Sequence, residues 1–176
     1  MSAPPFLLDA PTAEARLSQL ADLLHACVED GASVNFVNPF TLEEAAAYWR
    51  DKVLGPVAAG LRDLFAVERG GRIVGSVQLD RDTPPNGRHR ADVTKLLVHP
   101  HARRQRLATQ LMDALEARAT EQGRVLLTLD TRTGDPADAL YRARGYVALG
   151  EIPGYCRDPF DRGVDPTTIL YKQLSE

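Results

Sequence analysis

The amino-acid sequence predicts an α/β domain with a mixed β-sheet, and we assign residues 1–176 to that single domain. The first observation is that stretches with strand and helix periodicity alternate in the order β-α-α-β-β-β-α-β-α-β-β. The second is an ordinary globular composition, with 44% hydrophobic and 26% charged residues. A chain of 176 residues is also long enough to bury a proper core.

The N-terminal half predicts a short strand, two helices and a hairpin. The stretch "FLLDA" begins as a strand, and apolar residues at helical spacing then predict a helix over 12–30 that Gly31 ends. After the loop "GASVNFVNPF", a capping box of Thr41 and Glu44 starts a second helix that runs to about Ala59. The stretches "DLFAVER" and "RIVGSVQLD", joined by two glycines, predict a β-hairpin.

The C-terminal half predicts four further strands and two helices. "RADVTKLLVH" is the central strand, and a helix with an arginine-rich first turn follows it until Gly123. "RVLLTLD" predicts the next strand, and Asp135 with Pro136 begins a helix that runs through Arg144. "GYVALGE" and "TTILYKQL" predict the last strands, with "IPGYCRDPFDRGVDP" as a long loop between them.

The arginine-rich turn after the central strand contains Arg103, Arg104 and Arg106. The backbone N–H groups of a helix N-terminus are free, and the helix dipole is positive there, so cations in a first turn are mildly unfavourable. A bound phosphate would compensate for this charge. The alternative is a solvated basic face, which is what most charge clusters are.

Charge and cysteine usage argue against several classes of protein. A formal net charge of −3 disfavours nucleic acid as a partner and leaves a small phosphorylated ligand as the better match for the arginines. Cys27 and Cys156 lie far apart and match no metal-binding spacing, so we expect no metal. The N-terminus lacks signal-peptide features, and no apolar run approaches about twenty residues. We therefore expect a cytoplasmic protein without a membrane partner.

The stretch "KLLVHPHARRQRLATQLM" resembles the signature of the GNAT superfamily of acetyl-coenzyme A-dependent N-acetyltransferases. In the pattern Gln/Arg-x-x-Gly-x-Gly/Ala, Arg103 and Ala108 fit, whereas Arg106 replaces the middle glycine. The resemblance implies the GNAT fold: a mixed sheet of about six to seven strands, about four flanking helices, and a β-bulge with splayed strands around the central strand. Because helical backbone needs no glycine, we expect Arg106 to leave this fold unchanged.

A second GNAT element is matched by Ala137, Tyr141 and the dipeptide Gly145-Tyr146, although Gly134 stands where the family often has asparagine. Four further stretches, "GASVNF", "PNGRHRADVTKLLVHP", "LLTLDT" and "GEIPGYC", look like the corresponding parts of the tabtoxin-resistance acetyltransferase. That protein acetylates the amine of an amino-acid-like β-lactam toxin. Toxin detoxification or antibiotic resistance is therefore one expected role, with ordinary metabolism as the alternative.

The resemblance implies that acetyl-CoA is the cosubstrate. In the family, N–H groups of the turn cradle the pyrophosphate, and the central strand pairs with the pantetheine arm. The implied cofactor-binding residues are Leu96, Leu97, Val98, Arg103, Arg104, Gln105, Arg106, Leu107, Ala108, Thr109, Ala137 and Tyr141.

The resemblance also makes Tyr141 the expected general acid, which protonates the departing thiolate. For the base, Asp130 ends an apolar strand and Asp92 opens the central one, so both are candidates where these strands part. An isolated carboxylate is a weak base at pH 7 unless burial or a neighbouring charge strengthens it. We slightly prefer Asp130, although an Asx-type turn would also explain it, and a surface strand end would explain Asp92.

Two loops are expected to line the acceptor pocket. The loop "GASVNFVNPF" contributes Asn35 and Phe36 as candidate residues, and the loop "IPGYCRDPF" contributes Tyr155 and Arg157. Arg157 or Arg90 would bind the carboxylate of a zwitterionic acceptor. The resulting hypothesis is direct acetyl transfer to the amine of a small, amino-acid-like or antibiotic- or toxin-like molecule. A protein or peptide N-terminal acetyltransferase and a cofactor-binding regulatory module with degraded catalysis stay open. So does the oligomeric state, since many related proteins form homodimers.

Overall fold

The computed structural model describes residues 4–174, so the ends of the predicted domain, 1–3 and 175–176, lie outside the described residues. Within this range, helices and strands follow one another with these bounds: β1 Phe6–Leu8, α1 Ala10–Ala15, α2 Leu17–Glu29, α3 Leu42–Tyr48, a π-helical turn Trp49–Val53, α4 Leu54–Ala58, β2 Arg62–Arg69, β3 Arg72–Asp80, β4 Arg90–Val98, α5 Leu107–Glu121, β5 Leu126–Arg132, α6 Pro136–Ala143, β6 Val147–Arg157 and β7 Val164–Gln173.

The strands form one mixed sheet in the order β1-β2-β3-β4-β5-β7-β6. β4 and β5 run parallel, because α5 crosses over between them, and the other neighbouring pairs are antiparallel. The sheet has seven strands, so the predicted α/β class and mixed sheet of about six to seven strands are confirmed.

The central strand β4 contains a bulge. Ser76 of β3 pairs with Leu97, but Gln78 pairs with Thr94, so β4 carries one extra residue in this stretch. Lys95 lies in the bulge with φ of 51°. β4 pairs with β5 only through Arg90–Asp92, and the two strands then separate. The predicted bulge and splayed strands are thus confirmed.

Helices cover both faces of the sheet and give two apolar cores. On one face, Leu111, Met112 and Leu115 of α5 are fully buried against the central strands. On the other face, α2, α3 and the π-helical turn surround Trp49, whose indole N–H donates to the Leu20 carbonyl at 2.8 Å. In the described part of the chain, no helix is long and apolar enough to cross a bilayer.

Both predicted N-terminal helices form, but each is interrupted. The predicted helix over 12–30 is two helices, α1 and α2, which meet at Arg16, whose side chain reaches Glu68 and the Gly71 carbonyl. The second helix begins at the predicted capping box, in which Thr41 and Glu44 bond each other reciprocally. The π-helical turn then interrupts it where Trp49 enters the core.

The predicted arginine-rich helical turn is wrong. α5 begins only at Leu107, and the arginines precede it in a loop. Arg104 and Arg106 have φ of 59° and 61°, which is left-handed rather than helical backbone. The fold is unchanged, as expected, but the helical backbone given as the reason is wrong: glycine would adopt the left-handed conformation without strain, whereas Arg106 adopts it at a conformational cost.

The predicted long loop near the C-terminus is also wrong for most of its length. β6 continues through Arg157, and β7 already begins at Val164. Register shifts between Ile152 and Cys156 accommodate the Pro-Gly dipeptide between them. β6 is an edge strand, where a proline without an N–H group is tolerated.

Candidate functional site

A cleft of about 640 Å³ opens where β4 and β5 separate. Nine of the twelve residues predicted to bind the cofactor line it, namely Leu96, Leu97, Val98, Arg103, Arg104, Arg106, Leu107, Ala108 and Ala137. Gln105 and Thr109 do not line it, and Tyr141 lines an adjoining pocket. Packing has therefore brought together the end of β4, the start of α5 and the start of α6.

The start of α5 presents unpaired backbone donors to this cleft. The first bond of the helix is from the Gln110 N–H to the Arg106 carbonyl at 3.0 Å, which leaves the N–H groups of Leu107, Ala108 and Thr109 without helical acceptors. These groups and the positive end of the dipole of a fifteen-residue helix suit a phosphate.

The three arginines differ in their partners. Arg103 is ion-paired with Asp30, and its Nε donates to the Val98 carbonyl at 3.4 Å. Arg104 and Arg106 are exposed, and no residue among 4–174 forms an ion pair or hydrogen bond with either side chain. Both line the cleft, so their charges are available to an anion held there.

Cys27 lies at the wall of the cleft but is not a nucleophile. Its Sγ donates to the Val98 carbonyl at 3.5 Å, and the residue is 2% exposed. Burial raises the pKa of this thiol to about 11, so it stays protonated at neutral pH.

A smaller pocket of about 180 Å³ adjoins the cleft. The two cavities share the wall residues Ala32, Leu96, Arg132, Asp135 and Ala137. Of the predicted catalytic and acceptor residues, Tyr141, Asp130, Asn35 and Tyr155 line the smaller pocket. A molecule there would meet a group extending from the cleft beside the bulge of β4.

Tyr141 contributes a buried phenol to the smaller pocket. The residue is 6% exposed, and its ring packs edge-on against Tyr146 with 5.6 Å between centroids. Burial, and secondarily the negative charge of Asp130, raise the pKa of Tyr141 far above its usual range. Its hydroxyl therefore stays protonated, and no described residue hydrogen-bonds it.

The two candidate bases occupy different surroundings. Asp130 is exposed in the smaller pocket and accepts a hydrogen bond from the Thr167 hydroxyl at 3.2 Å. Asp92 lies where β4 and β5 are still paired, accepts from Thr128, and lies 3.7 Å from Arg90. Because Asp92 does not line the pocket, the structure brings only Asp130 together with Tyr141.

Three predicted acceptor residues do not line the pocket. The ring of Phe36 packs against those of Phe40 and Tyr48, with centroids 4.5 and 5.4 Å away. Arg90 stays with Asp92 at the paired end of the sheet. Arg157 is mostly exposed and its guanidinium lies 2.6 Å from the carboxylate of Asp161.

Sequence reasoning missed three charged residues of the smaller pocket, Lys95, Arg132 and Asp135. Lys95 lies with its Nζ 5.9 Å from the Phe36 ring centroid and 5.6 Å from that of Tyr48. Arg132 bonds Asp135 at 2.9 Å and the Gly31 carbonyl at 3.2 Å. A single cation inside the apolar stretch "VTKLLV" was a signal for Lys95, since a strand interior rarely holds an unpaired charge.

The sequence also matches a family model, that of the acetyltransferase (GNAT) family, over residues 23–146. The chain belongs to this family. GNAT proteins are acyltransferases with acetyl-CoA as cosubstrate, so this chain is an acetyl-CoA-dependent acyltransferase. Within the described range, no group of three or more histidine, cysteine or acidic side chains is arranged to hold a metal ion.

Solved structures share the GNAT fold. Ribosomal-protein-alanine N-acetyltransferase from Brucella melitensis is 22% identical, with a TM-score of 0.76 over 98% of this chain and 100% of that one. The protein yncA from Salmonella typhimurium, whose structure contains its cofactor acetyl-CoA, is 17% identical, with a TM-score of 0.76 over 98% and 94%. A protein assigned as a phosphinothricin N-acetyltransferase is 17% identical, with a TM-score of 0.75 over 98% of both chains.

Proposed function

We propose that this GNAT protein transfers the acetyl group of acetyl-CoA directly to the amine of a small, amino-acid-like or antibiotic- or toxin-like molecule. The observation that carries the proposal is that a large cleft with a helix N-terminus adjoins a small pocket holding Tyr141 and Asp130. The pocket volume of about 180 Å³ is below the range typical of drug-sized ligands and suits a small acceptor.

In this proposal the cleft holds acetyl-CoA through backbone groups and two arginines. The N–H groups at the start of α5 bind the pyrophosphate, and Arg104 with Arg106 add charge-assisted contacts. The pantetheine arm lies along 96–98 of β4, whose edge no longer pairs with β5. Residues 1–176 then act as one catalytic domain.

The chemistry requires no group beyond those in the two cavities. The neutral amine attacks the thioester carbonyl carbon, and a backbone N–H of β4 near the bulge stabilises the developing oxyanion. When the carbon–sulfur bond breaks, Tyr141 gives its proton to the thiolate. Asp130 takes the proton that the amine loses, directly or through a water molecule, and the products are the acetylated amine and CoA.

The test combines binding and turnover. Calorimetric titration of acetyl-CoA should give micromolar affinity, and a panel of amino acids, amines and peptides should release free thiol only with small acceptors. Asp130→Asn should lower kcat about tenfold to a hundredfold, whereas Asp92→Asn should leave it unchanged. Binding without transfer to any acceptor would favour the regulatory module, and no binding would remove the enzyme proposal for this site.

The biological role is part of the same proposal. The resemblance to the tabtoxin-resistance acetyltransferase supports detoxification of a toxin or antibiotic. One protein of similar fold is named as a phosphinothricin N-acetyltransferase. Another protein of similar fold is named as a ribosomal-protein-alanine N-acetyltransferase, so the panel of acceptors to be tested includes peptides. Unpaired Cys27 and Cys156 support a reducing compartment such as the cytoplasm.

The proposal also includes a homodimer, in which the edge strands β6 of two copies of the chain pair with each other. β6 is an edge strand of eleven residues, and it exposes Val147, Leu149 and Ile152. A long, exposed apolar edge favours pairing with another chain. Light scattering after size-exclusion chromatography should give twice the monomer mass, and Leu149→Lys should return the protein to a monomer. A monomeric wild type would remove this part of the proposal.

A further inference from the structure

The smaller pocket contains four charged side chains, and only two of them are neutralised. Arg132 and Asp135 are 2.9 Å apart, and Arg132 also contacts Asp165 at 3.4 Å. Lys95 and Asp130 have no ion-pair partner among the described residues. The pocket therefore presents one positive and one negative group to whatever binds in it.

Lys95 is held in place by its backbone and by two aromatic rings. Lys95 has a left-handed backbone in the bulge. The bulge interrupts the regular alternation of side chains between the two faces of the strand and so changes the direction of the Lys95 side chain. Its Nζ lies within 6 Å of the Phe36 and Tyr48 ring centroids, the distance at which a cation is attracted to a ring. The Tyr48 hydroxyl is itself fixed by the Gln78 amide at 3.2 Å.

The environment of Lys95 leaves its charge only partly compensated. Burial lowers the pKa of Lys95, the negative charge of Asp130 offsets part of that effect, and the positive charge of Arg62 adds to it. A partly desolvated ammonium without a carboxylate partner gains more from an anionic ligand than a solvated surface lysine does. The arginines expected to play this part, Arg90 and Arg157, do not line the pocket.

We propose that Lys95 binds a carboxylate of the acceptor, so that the acceptor is a small amino acid or amino-acid analogue with its amine toward Asp130. This inference rests on the proposed acetyl transfer, and it makes Lys95 a specificity-determining residue. Lys95 takes no part in bond formation. Its contribution is to favour molecules that carry a carboxylate and an amine at a short separation.

The experiment compares acceptors with and without the carboxylate. Free amino acids, their amides and the corresponding decarboxylated amines are tested with wild type, Lys95→Met and Lys95→Arg. Wild type should favour the best amino acid over its amide by tenfold or more in kcat/KM. Lys95→Met should abolish this preference by raising KM for the amino acid about tenfold to a hundredfold, with the amide changed less than twofold. Lys95→Arg should retain part of the preference.

A matched control separates charge recognition from folding. Lys172 also lies over a ring, with its Nζ 5.6 Å from the Tyr146 centroid, but it is outside the pocket and pairs with Glu116. Lys172→Met should leave the preference unchanged. A loss of the same size for amino acid and amide in Lys95→Met would overturn the inference, as would a wild type that does not distinguish them.

A binding measurement keeps this inference distinct from the proposed function. Amino acids are titrated by calorimetry into the protein saturated with CoA, without any transfer. Binding to wild type that is lost in Lys95→Met supports carboxylate recognition even if no acetyl transfer is found. Transfer that proceeds equally well to amines and amino acids supports the proposed function and overturns the role of Lys95.

Discussion

Tyr141 is the residue in which burial and chemistry are most directly connected. Its hydroxyl lies in the smaller pocket with a raised pKa, which suits a group that must hold its proton until a thiolate forms. Tyr141→Phe should lower kcat about a hundredfold or more, with the Kd of acetyl-CoA changed less than threefold. Steady-state kinetics and calorimetry measure the two effects.

Tyr146 provides the matched control for that prediction. Its ring contacts Tyr141, and its hydroxyl is buried, but it does not line the pocket. Tyr146→Phe should therefore keep kcat within a few-fold of wild type. Equal losses in both variants would indicate that the tyrosine pair acts through packing, and Tyr141 would lose its place as the acid.

Arg106 combines a conformational cost with a proposed contact to the cofactor. A left-handed backbone costs a residue with a Cβ about 1–2 kcal/mol, a cost that glycine avoids. Arg106→Gly should therefore raise the free energy of unfolding by about 1 kcal/mol and weaken acetyl-CoA binding about tenfold. Urea denaturation and calorimetric titration test the two halves.

The charge of Arg106 is tested separately by Arg106→Ala. This variant should flatten the dependence of acetyl-CoA affinity on salt, because one unpaired cation of the cleft is removed. The control for the change in net charge is Arg88→Ala, since Arg88 is an exposed arginine that does not line the cleft. If Arg106→Ala left both affinity and salt dependence unchanged, the side chain would have no part in binding.

At the scale of the elements, the fit of α5 against the bulged sheet depends on Gly75 of β3. A Cβ at this position would lie 3.1 Å from the Leu97 carbonyl oxygen, 3.0 Å from Val67 and 3.2 Å from Leu111. Since one of these neighbours is backbone, the packing cannot relax by a side-chain rotation alone. Gly75→Ala should lower the free energy of unfolding by about 1–3 kcal/mol, measured from the urea midpoint.

Gly55→Ala in α4 is the control for the Gly75→Ala variant. A Cβ at Gly55 would have no atom within 4 Å, so Gly55→Ala should leave stability unchanged or raise it by up to about 1 kcal/mol. Similar stability changes in the two variants would indicate that the space around Gly75 is not what fixes α5 to the sheet.

At the scale of the whole molecule, acetyl-CoA should couple the two sides of the cleft. Its proposed contacts come from β4, the arginine loop and α6, which different parts of the chain supply. A ligand at 100 times its Kd stabilises a native state by about 2.7 kcal/mol, which corresponds to about 5–10 °C in Tm for a domain of this size. Thermal denaturation with and without acetyl-CoA measures the shift. An unchanged Tm at saturating ligand would contradict it.

The order of the elements could be predicted because it depends on local patterns. Helical spacing, the Thr41–Glu44 capping box and the apolar stretch of β5 each involve residues close in sequence. The predictions of the arginine-rich helical turn and of the long C-terminal loop failed where the local residue pattern does not indicate the backbone that forms. Arg104 and Arg106 adopt a left-handed backbone that arginine rarely takes, and β6 continues to Arg157 through pairing with β7 across a Pro-Gly dipeptide that is typical of loops.

The sequence by itself determined the fold class, the family and the positions of Tyr141 and Asp130 in the chain. Only the tertiary structure decided which charges share a pocket: it left Asp92, Arg90 and Arg157 outside and brought Lys95 inside. The physical reason is that periodicity and motifs encode which face of an element is buried. Which side chains then lie across a cavity depends on where the bulge re-aims one strand and where two strands separate.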